Sequence, residues 1–295
     1  MEWIRQLQRA LEYIETHLTE EISYEDVAAH IYMSSYNFHR TFSLMAGMTA
    51  TEYIRNRRLS LAAHELQTGE ISVLEAALKY GYDTPESFSK AFSRFHGVTP
   101  RQAKTPGTPL RMFNPLTIKV TLDGGTIMDY RMVKREALKF WALVRPFRSE
   151  SAEDPTDHSI PDFWDECMQK QLLCPLYANF PQGKQDLYGL CSPKTDNTGC
   201  FRYGIGMLLD ESAPLPDEAA LIAAGFTLWE VEPAEYAVFR CEGTDGDCIT
   251  QAWNRFYREF LPQTGYRQTD LTDFELYPEK GEDGLFCELW IPIER

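Results

Sequence analysis

The chemistry this chain can offer rests on a few polar side chains set in apolar frames. The most isolated is Glu275, in the strand-like run Asp273-Phe-Glu-Leu-Tyr277. A carboxylate flanked by Phe274, Leu276 and Tyr277 is costly to bury unless it is paired. An incoming cation would relieve that cost, and aromatic faces would add about 0.5–2 kcal/mol each by cation–π attraction. Five of the six tryptophans (Trp141, Trp164, Trp229, Trp253, Trp290) lie in the same part of the chain. The alternative is a solvated Glu275 with tryptophans that only fill the core. Glu288 is a weaker candidate of the same type, placed opposite Tyr203 when the two halves of this part of the chain are laid over one another. There is no phosphate-binding glycine loop, dinucleotide fingerprint, H-E-x-x-H or G-x-S-x-G. No C-x-x-C pair joins the seven cysteines, so no catalytic residue, metal site or cofactor is expected.

The elements that must position these groups change character along the chain. In the first third, Ser23-Tyr-Glu-Asp26, Thr49-Ala-Thr-Glu52 and Ser72-Val-Leu-Glu75 read as capping boxes. Thr84-Pro85 reads as an N-cap followed by proline at the first helical position. Between these starts, apolar residues recur at helical spacing. Residues 105–115, TPGTPLRMFNP, break that pattern with three prolines and a glycine. Beyond them Ile118–Leu122 reads as a strand entering a turn at Asp123-Gly-Gly125.

The second part also reads as a duplication. Val133–Trp141 matches Val231–Phe239, and each is followed by a helix with I-x-x-x-W spacing, Ile160 to Trp164 and Ile249 to Trp253. Each helix leads into a strand pair, 186–190 with 201–205 and 273–277 with 286–290. The expected organisation is therefore two domains: an all-α double helix-turn-helix over 1–105 and, after a 106–116 linker, a pseudo-twofold α+β domain over 117–295. The latter is built of duplicated strand–helix–strand–strand units.

Two segments share one frame. Val27–Ile31, Tyr32-Met33 and Ser34–Phe42 read helix, tight turn, helix; so do Val73–Tyr80, Gly81-Tyr-Asp and Thr84–Phe92. Both second helices follow S/T-x-x-x-F-x-R/K-x-F, in which phenylalanines four apart face inward and the residues between them project outward. Gly81 suits a turn with positive φ. A helix from about Thr51 to Leu66 separates the motifs, and its length of roughly 24 Å suits two recognition helices in successive major grooves.

Residues 5–105 resemble the AraC-type DNA-binding domain, most specifically over Gly81–Pro100. The resemblance implies base-facing positions at Tyr36, His39 and Arg40 in the first recognition helix and at Pro85, Glu86, Ser87, Ser89 and Lys90 in the second. Arg55, Arg57 and Arg58 on the connecting helix read equally as a solvated face or as phosphate contacts. Residues 118–294 resemble the GyrI-like effector-binding domain that follows AraC-type domains in multidrug-responsive regulators. That resemblance implies a pocket between the repeats, lined by aromatics around a glutamate at the position of Glu275, with Trp141, Trp164 and Tyr188 beside it and Glu288 as a weaker candidate.

The implied protein is a cytoplasmic transcription regulator, an activator, whose partners are double-stranded DNA, a small amphipathic or cationic effector and RNA polymerase. The alternatives are hydrolysis of a reactive small molecule or protein docking by the second domain. Composition bounds this reading. The net charge is -15, but residues 1–105 carry 11 basic against 13 acidic residues, and residues 106–295 carry 18 against 31. Within 84–104, Lys90, Arg94, Arg101 and Lys104 face only Glu86, a weakly basic stretch whose DNA affinity should depend only modestly on salt. No apolar run approaches the roughly 20 residues of a membrane span, and the N-terminus has no secretory core.

Overall fold

The computed structural model describes residues 2–118, 129–148, 160–183, 185–194, 200–210, 212–281 and 284–295. Most of the expected strand at 118–122, and the turn at 123–125, lie outside them. The chain forms two compact units, one of residues 4–33 and 41–122, the other of residues 1–3, 34–40 and 123–295. Assignment of residues 34–40 to the second unit was not expected from any sequence boundary.

The first unit is helical. Its elements are α1 (Glu2–Thr16), α2 (Tyr24–His30), the later turns of α3 (Ser35–Ala46), α4 (Ala50–Thr68), α5 (Val73–Lys79), α6 (Pro85–His96) and α7 (Pro100–Ala103). The starts are set by side chains. Ser23, Thr49 and Ser72 each cap the amide three residues on, and Asp26, Glu52 and Glu75 close the box in return. Thr84 caps α6 with Pro85 in its first turn, and Thr99 with Gln102 forms a further box at α7. Phe38 and Phe42 of the first frame and Phe88 and Phe92 of the second are all buried. Around the second pair, Leu59, Ala62, Ala63 and Leu66 of α4 pack with Ala76, Ala77 and Tyr80.

Two of the three arginines of α4, Arg57 and Arg58, take roles that neither sequence reading anticipated. Arg57 is buried and binds Glu15 through two hydrogen bonds of 2.8 Å, and it donates to the Phe113 carbonyl at 2.6 Å. Arg58 donates to the carbonyls of Leu18 and Glu20 at 2.8 and 2.6 Å. Both guanidiniums satisfy backbone or carboxylate oxygens within the unit, so they are braces between α4 and its neighbours.

The second unit is built on a nine-stranded antiparallel sheet. Its strands are β1 (Arg131–Arg135), β2 (Leu138–Arg148), β3 (Leu187–Ser192), β4 (Cys200–Leu208), β5 (Thr227–Val231), β6 (Ala234–Glu242), β7 (Arg267–Gln268), β8 (Asp273–Tyr277) and β9 (Leu285–Glu294). They lie in the order β1-β6-β9-β8-β3-β4-β2-β5, with β7 pairing the end of β9. The central neighbours are thus β8 and β3, in the register Gly189 with Glu275 and Cys191 with Asp273. Helices α8 (Ile160–Gln169), α9 (Cys174–Asn179) and α10 (Glu218–Ala223) belong to the first half, and α11 (Asp247–Arg255) to the second. The last runs through a π-helical turn, Phe256–Phe260, into α12 (Leu261–Thr264).

Strand alternation sorts the core into two faces. Phe163 and Cys167 of α8 pack with Trp141, Phe147, Cys191, Tyr203 and Ile205 on one. Phe140, Tyr188, Trp229, Tyr236, Phe274 and Trp290 form an aromatic cluster on the other. Of the seven free cysteines, five are buried, Cys200 is half-buried and Cys174 is exposed.

The turn residues of the two helical motifs make a matched test. Gly81 has φ of +78° and a Cβ there would meet the Arg58 guanidinium at 3.0 Å, whereas the corresponding Tyr32 holds a φ of +57° with its side chain 91% exposed. Left-handed backbone costs a non-glycine residue roughly 1–2 kcal/mol. Gly81→Ala should therefore destabilise the chain by about 1–2 kcal/mol, and Tyr32→Gly should leave it unchanged or stabilise it by up to about 1 kcal/mol. Urea unfolding of the two variants checks the opposite signs.

Candidate functional site

The site is assembled on the centre of the sheet. Alternation places Asp273, Glu275 and Tyr277 of β8 on the face covered by α8 and α11, and sends Phe274 and Leu276 to the aromatic cluster behind. Glu275 lies across from Gly189. Gly189 is what makes room: a Cβ there would collide with both the Tyr203 hydroxyl and the Glu275 carboxylate. Over this glycine Trp164 Nε1 donates to Tyr203 Oη at 2.9 Å, and Tyr203 Oη donates to Glu275 Oε2 at 2.7 Å. The Trp164 and Tyr277 rings lie 5.0 Å apart and wall the same spot.

Burial, more than any neighbour, raises the Glu275 carboxyl to about 7; Asp273 adds to the rise, while the Tyr203 hydrogen bond and the positive charge of Arg40 oppose it. Burial likewise raises Asp273, against the pull of Arg40. Burial and Glu275 push the Tyr203 hydroxyl well above the ordinary phenol range, so it stays a donor. The result is a part-buried carboxyl, raised to about 7 and bordered by the rings of Tyr203, Trp164 and Tyr277.

The remaining part of the site comes from the start of α3, in the same compact unit. Arg40 reaches Asp273, donating from Nη2 to Oδ2 at 3.1 Å, and also donates to Asn37 Oδ1 at 2.9 Å and to Tyr36 Oη at 3.1 Å. Its guanidinium carbon stands 3.5 Å from the centroid of a Trp253 ring. Tyr36 packs on Phe201 with ring centroids 4.3 Å apart, and Asn37 donates to Asp270 Oδ1 at 2.7 Å.

Of the residues expected around Glu275, Trp164 stands beside it and Trp141 lies in the same apolar cluster, its Nε1 buried without a hydrogen-bond partner. Tyr188 and Glu288 do not join them. One residue of shift along a strand reverses the face. Tyr188 falls in the aromatic cluster behind the sheet and borders a separate cleft of about 400 Å³ with Asp186, Leu208 and Asp210. Glu288 is held there by two hydrogen bonds from Arg131, of 2.7 and 2.6 Å, and one from Trp290 Nε1 at 3.1 Å. Among the described residues no cluster of side chains could hold a metal ion, and no helix is long and apolar enough to cross a membrane.

The expected DNA-facing residues differ between the two helices. On α6, Glu86, Ser87 and Lys90 are exposed and Pro85 and Ser89 half-buried. On α3, Tyr36, His39 and Arg40 are all half-buried, Tyr36 and Arg40 through the contacts above. The sequence reading missed Tyr203, Trp253 and Asp273. A signal for Trp253 was present, because the I-x-x-x-W repeat makes it the counterpart of Trp164.

Residues 131–293 match the family described as integron-associated effector binding protein, and residues 27–105 match a helix-turn-helix domain. The chain belongs to that effector-binding family, here joined to an AraC-type helix-turn-helix domain, and is a DNA-binding transcription regulator. The chain is similar to the transcriptional activator AarP of Providencia stuartii, 41% identical over 90 residues, which are 30% of this chain and 67% of that one. Over its whole length the chain is similar to the right origin-binding protein of Escherichia coli K12, 26% identical with 96% of each chain covered. A solved structure of SAV2435 bound to tetraphenylphosphonium aligns with 57% of this chain and 94% of its own, at 19% identity and a TM-score of 0.45.

The raised Glu275 has a consequence for stability. A carboxyl with a higher pKa in the folded chain than in the unfolded chain keeps its proton longer when folded. Its contribution to stability is therefore lost as pH rises from about 4.5 to about 7. The thermal midpoint of the wild type minus that of Glu275→Gln should fall across this window and level off above it. A difference independent of pH would contradict the burial described.

Proposed function

We propose that the second unit binds a small amphipathic or cationic effector against Glu275, and that this binding controls DNA occupancy by α3 and α6. The observation that carries the reading is the part-buried carboxyl of Glu275, raised to about 7 and hemmed by Tyr203, Trp164 and Tyr277 over Gly189. A cation entering there gains the charge that burial has made costly, and the aromatic walls add cation–π attraction. Trp141 contributes an apolar wall and an indole N–H with no partner of its own.

On the DNA side, Tyr36, His39 and Arg40 of α3 and Pro85, Glu86, Ser87, Ser89 and Lys90 of α6 are the proposed groove residues. Arg40 and Lys90 occupy the same place in the shared frame. The protein acts as a cytoplasmic activator with RNA polymerase as its downstream partner, within a multidrug-type response. Its functional division is 1–105, a 106–116 linker and 117–295, and the second domain is a duplication. The strand order supports this, since β6-β9-β8 on one side of centre mirrors β2-β4-β3 on the other.

The test is a titration of the full chain with tetraphenylphosphonium, together with a duplex selected from random sequence. Wild type should bind the cation more tightly as pH rises through about 7, where Glu275 loses its proton, and duplex affinity should change at least fivefold with it. Glu275→Gln should weaken cation binding at least tenfold and abolish the pH dependence. Equal binding by Glu275→Gln would overturn the reading. A carboxyl near 7 could also serve as a general base, so product formation from electrophilic esters, lost in Glu275→Gln, would favour the hydrolytic alternative.

A further inference from the structure

The effector unit already holds a cation, and the cation is its own Arg40. We propose that the first turn of α3 is a built-in competitor for the effector site: Arg40 occupies a seat made by Asp273 and Trp253, next to Glu275. The effector is then a planar, delocalised cation of the amidinium or guanidinium type, whose binding releases Tyr36, Asn37 and Arg40. This rests on the ligand reading above and adds the class of ligand and the means of control.

Three observations converge on it. First, the seat is specific for a flat cation. Nη2 donates to Asp273 Oδ2 at 3.1 Å and to Asn37 Oδ1 at 2.9 Å, Nη1 donates to Tyr36 Oη at 3.1 Å, and the plane stands 3.5 Å from a Trp253 ring centroid. An ammonium would lose the stacking and the fork of donors. Second, the seat remains incompletely used, because Arg40 Nε is buried without a hydrogen-bond partner. A ligand that also reaches Glu275 would satisfy a second carboxylate that Arg40 does not bond. Third, the residues that hold Arg40 belong to the recognition frame itself. Asn37 is buried, donates to Asp270 at 2.7 Å and accepts from Gln268 Nε2 at 3.1 Å, while Tyr36 packs on Phe201.

A guanidinium cannot stack on Trp253 and reach a base edge at once. The two arrangements exclude each other, so any molecule that takes the seat shifts α3 towards the state in which Arg40 is free. Removing the internal competitor must by the same linkage tighten the binding of an external one, by the factor with which Arg40 occludes the site.

The experiment titrates the full chain with benzamidinium, with neutral benzamide as control. Arg40→Met should bind benzamidinium at least tenfold more tightly than wild type. Arg40→Lys, which keeps the charge beside Asp273 and guards against loss of folding, should bind it several-fold more tightly. Asp273→Asn, which removes the shared anion, should bind it at least tenfold more weakly, and benzamide should bind none of them measurably. Unchanged or weaker binding by both Arg40 variants, with loss in Glu275→Gln retained, would overturn the competitor and leave the ligand site standing. Failure of benzamidinium to bind wild type and both Arg40 variants would overturn the proposed ligand class; tetraphenylphosphonium binding would then decide whether the site itself survives.

Discussion

Two carboxylates separated by one residue on a strand must emerge on the same face, and Asp273 and Glu275 emerge under the helices near the centre of the sheet. Water is largely excluded there, so each raises its own proton affinity, and each calls for a partner. The partners found are different in kind. Asp273 takes a full positive charge from Arg40, and Glu275 takes only a neutral hydroxyl from Tyr203. Much else follows from that imbalance: the glycine at 189 that leaves room for the Tyr203–Glu275 bond, the tryptophans at 164 and 253 beside the two carboxylates, and the packing of residues 34–40 with the sheet unit. A buried ion pair contributes little net stability against an apolar substitute, though breaking it is costly. Retaining one here makes more sense as a switch contact than as a strut.

The helical unit uses its charges in the opposite way. Arg57 and Arg58 are spent on structure, fixing α4 to Glu15, to the carbonyls of Leu18 and Glu20, and to residue 113. On the proposed reading DNA recognition is left to few residues, consistent with the 11 basic and 13 acidic side chains of residues 1–105. The two helices of the shared frame, α3 and α6, are unequal. Lys90 of α6 is exposed, whereas the Arg40 side chain retains only 13% exposure. The shared frame makes these residues equivalent, yet their partners do not.

Local rules made much of this legible from the sequence. Ser23, Thr49, Ser72 and Thr84 announce helix starts because capping is decided by residues three apart, and the paired phenylalanines announce inward faces for the same reason. Glu275 stood out because a lone carboxylate interrupts an apolar alternation. The grouping of Tyr188 and Glu288 with it did not follow, because the face on which a strand residue emerges depends on register, and one residue reverses it. Arg57 and Arg58 misled because a helix face shows the charge but not the carboxylate or carbonyl that meets it. Asp273 and Arg40 were unreadable as a pair: 233 residues separate them, and nothing local signals such a contact.

The central claim is that effector and recognition helix share one seat. Hydrogen exchange of the full chain, followed by mass spectrometry over peptides spanning residues 34–46, tests it most directly. Saturating benzamidinium should accelerate exchange in the first turns of α3, while the peptides covering β3 and β8 become more protected. Slower or unchanged exchange at 34–46, with β3 and β8 protected, would mean that the ligand enters without displacing Arg40, and would contradict the account.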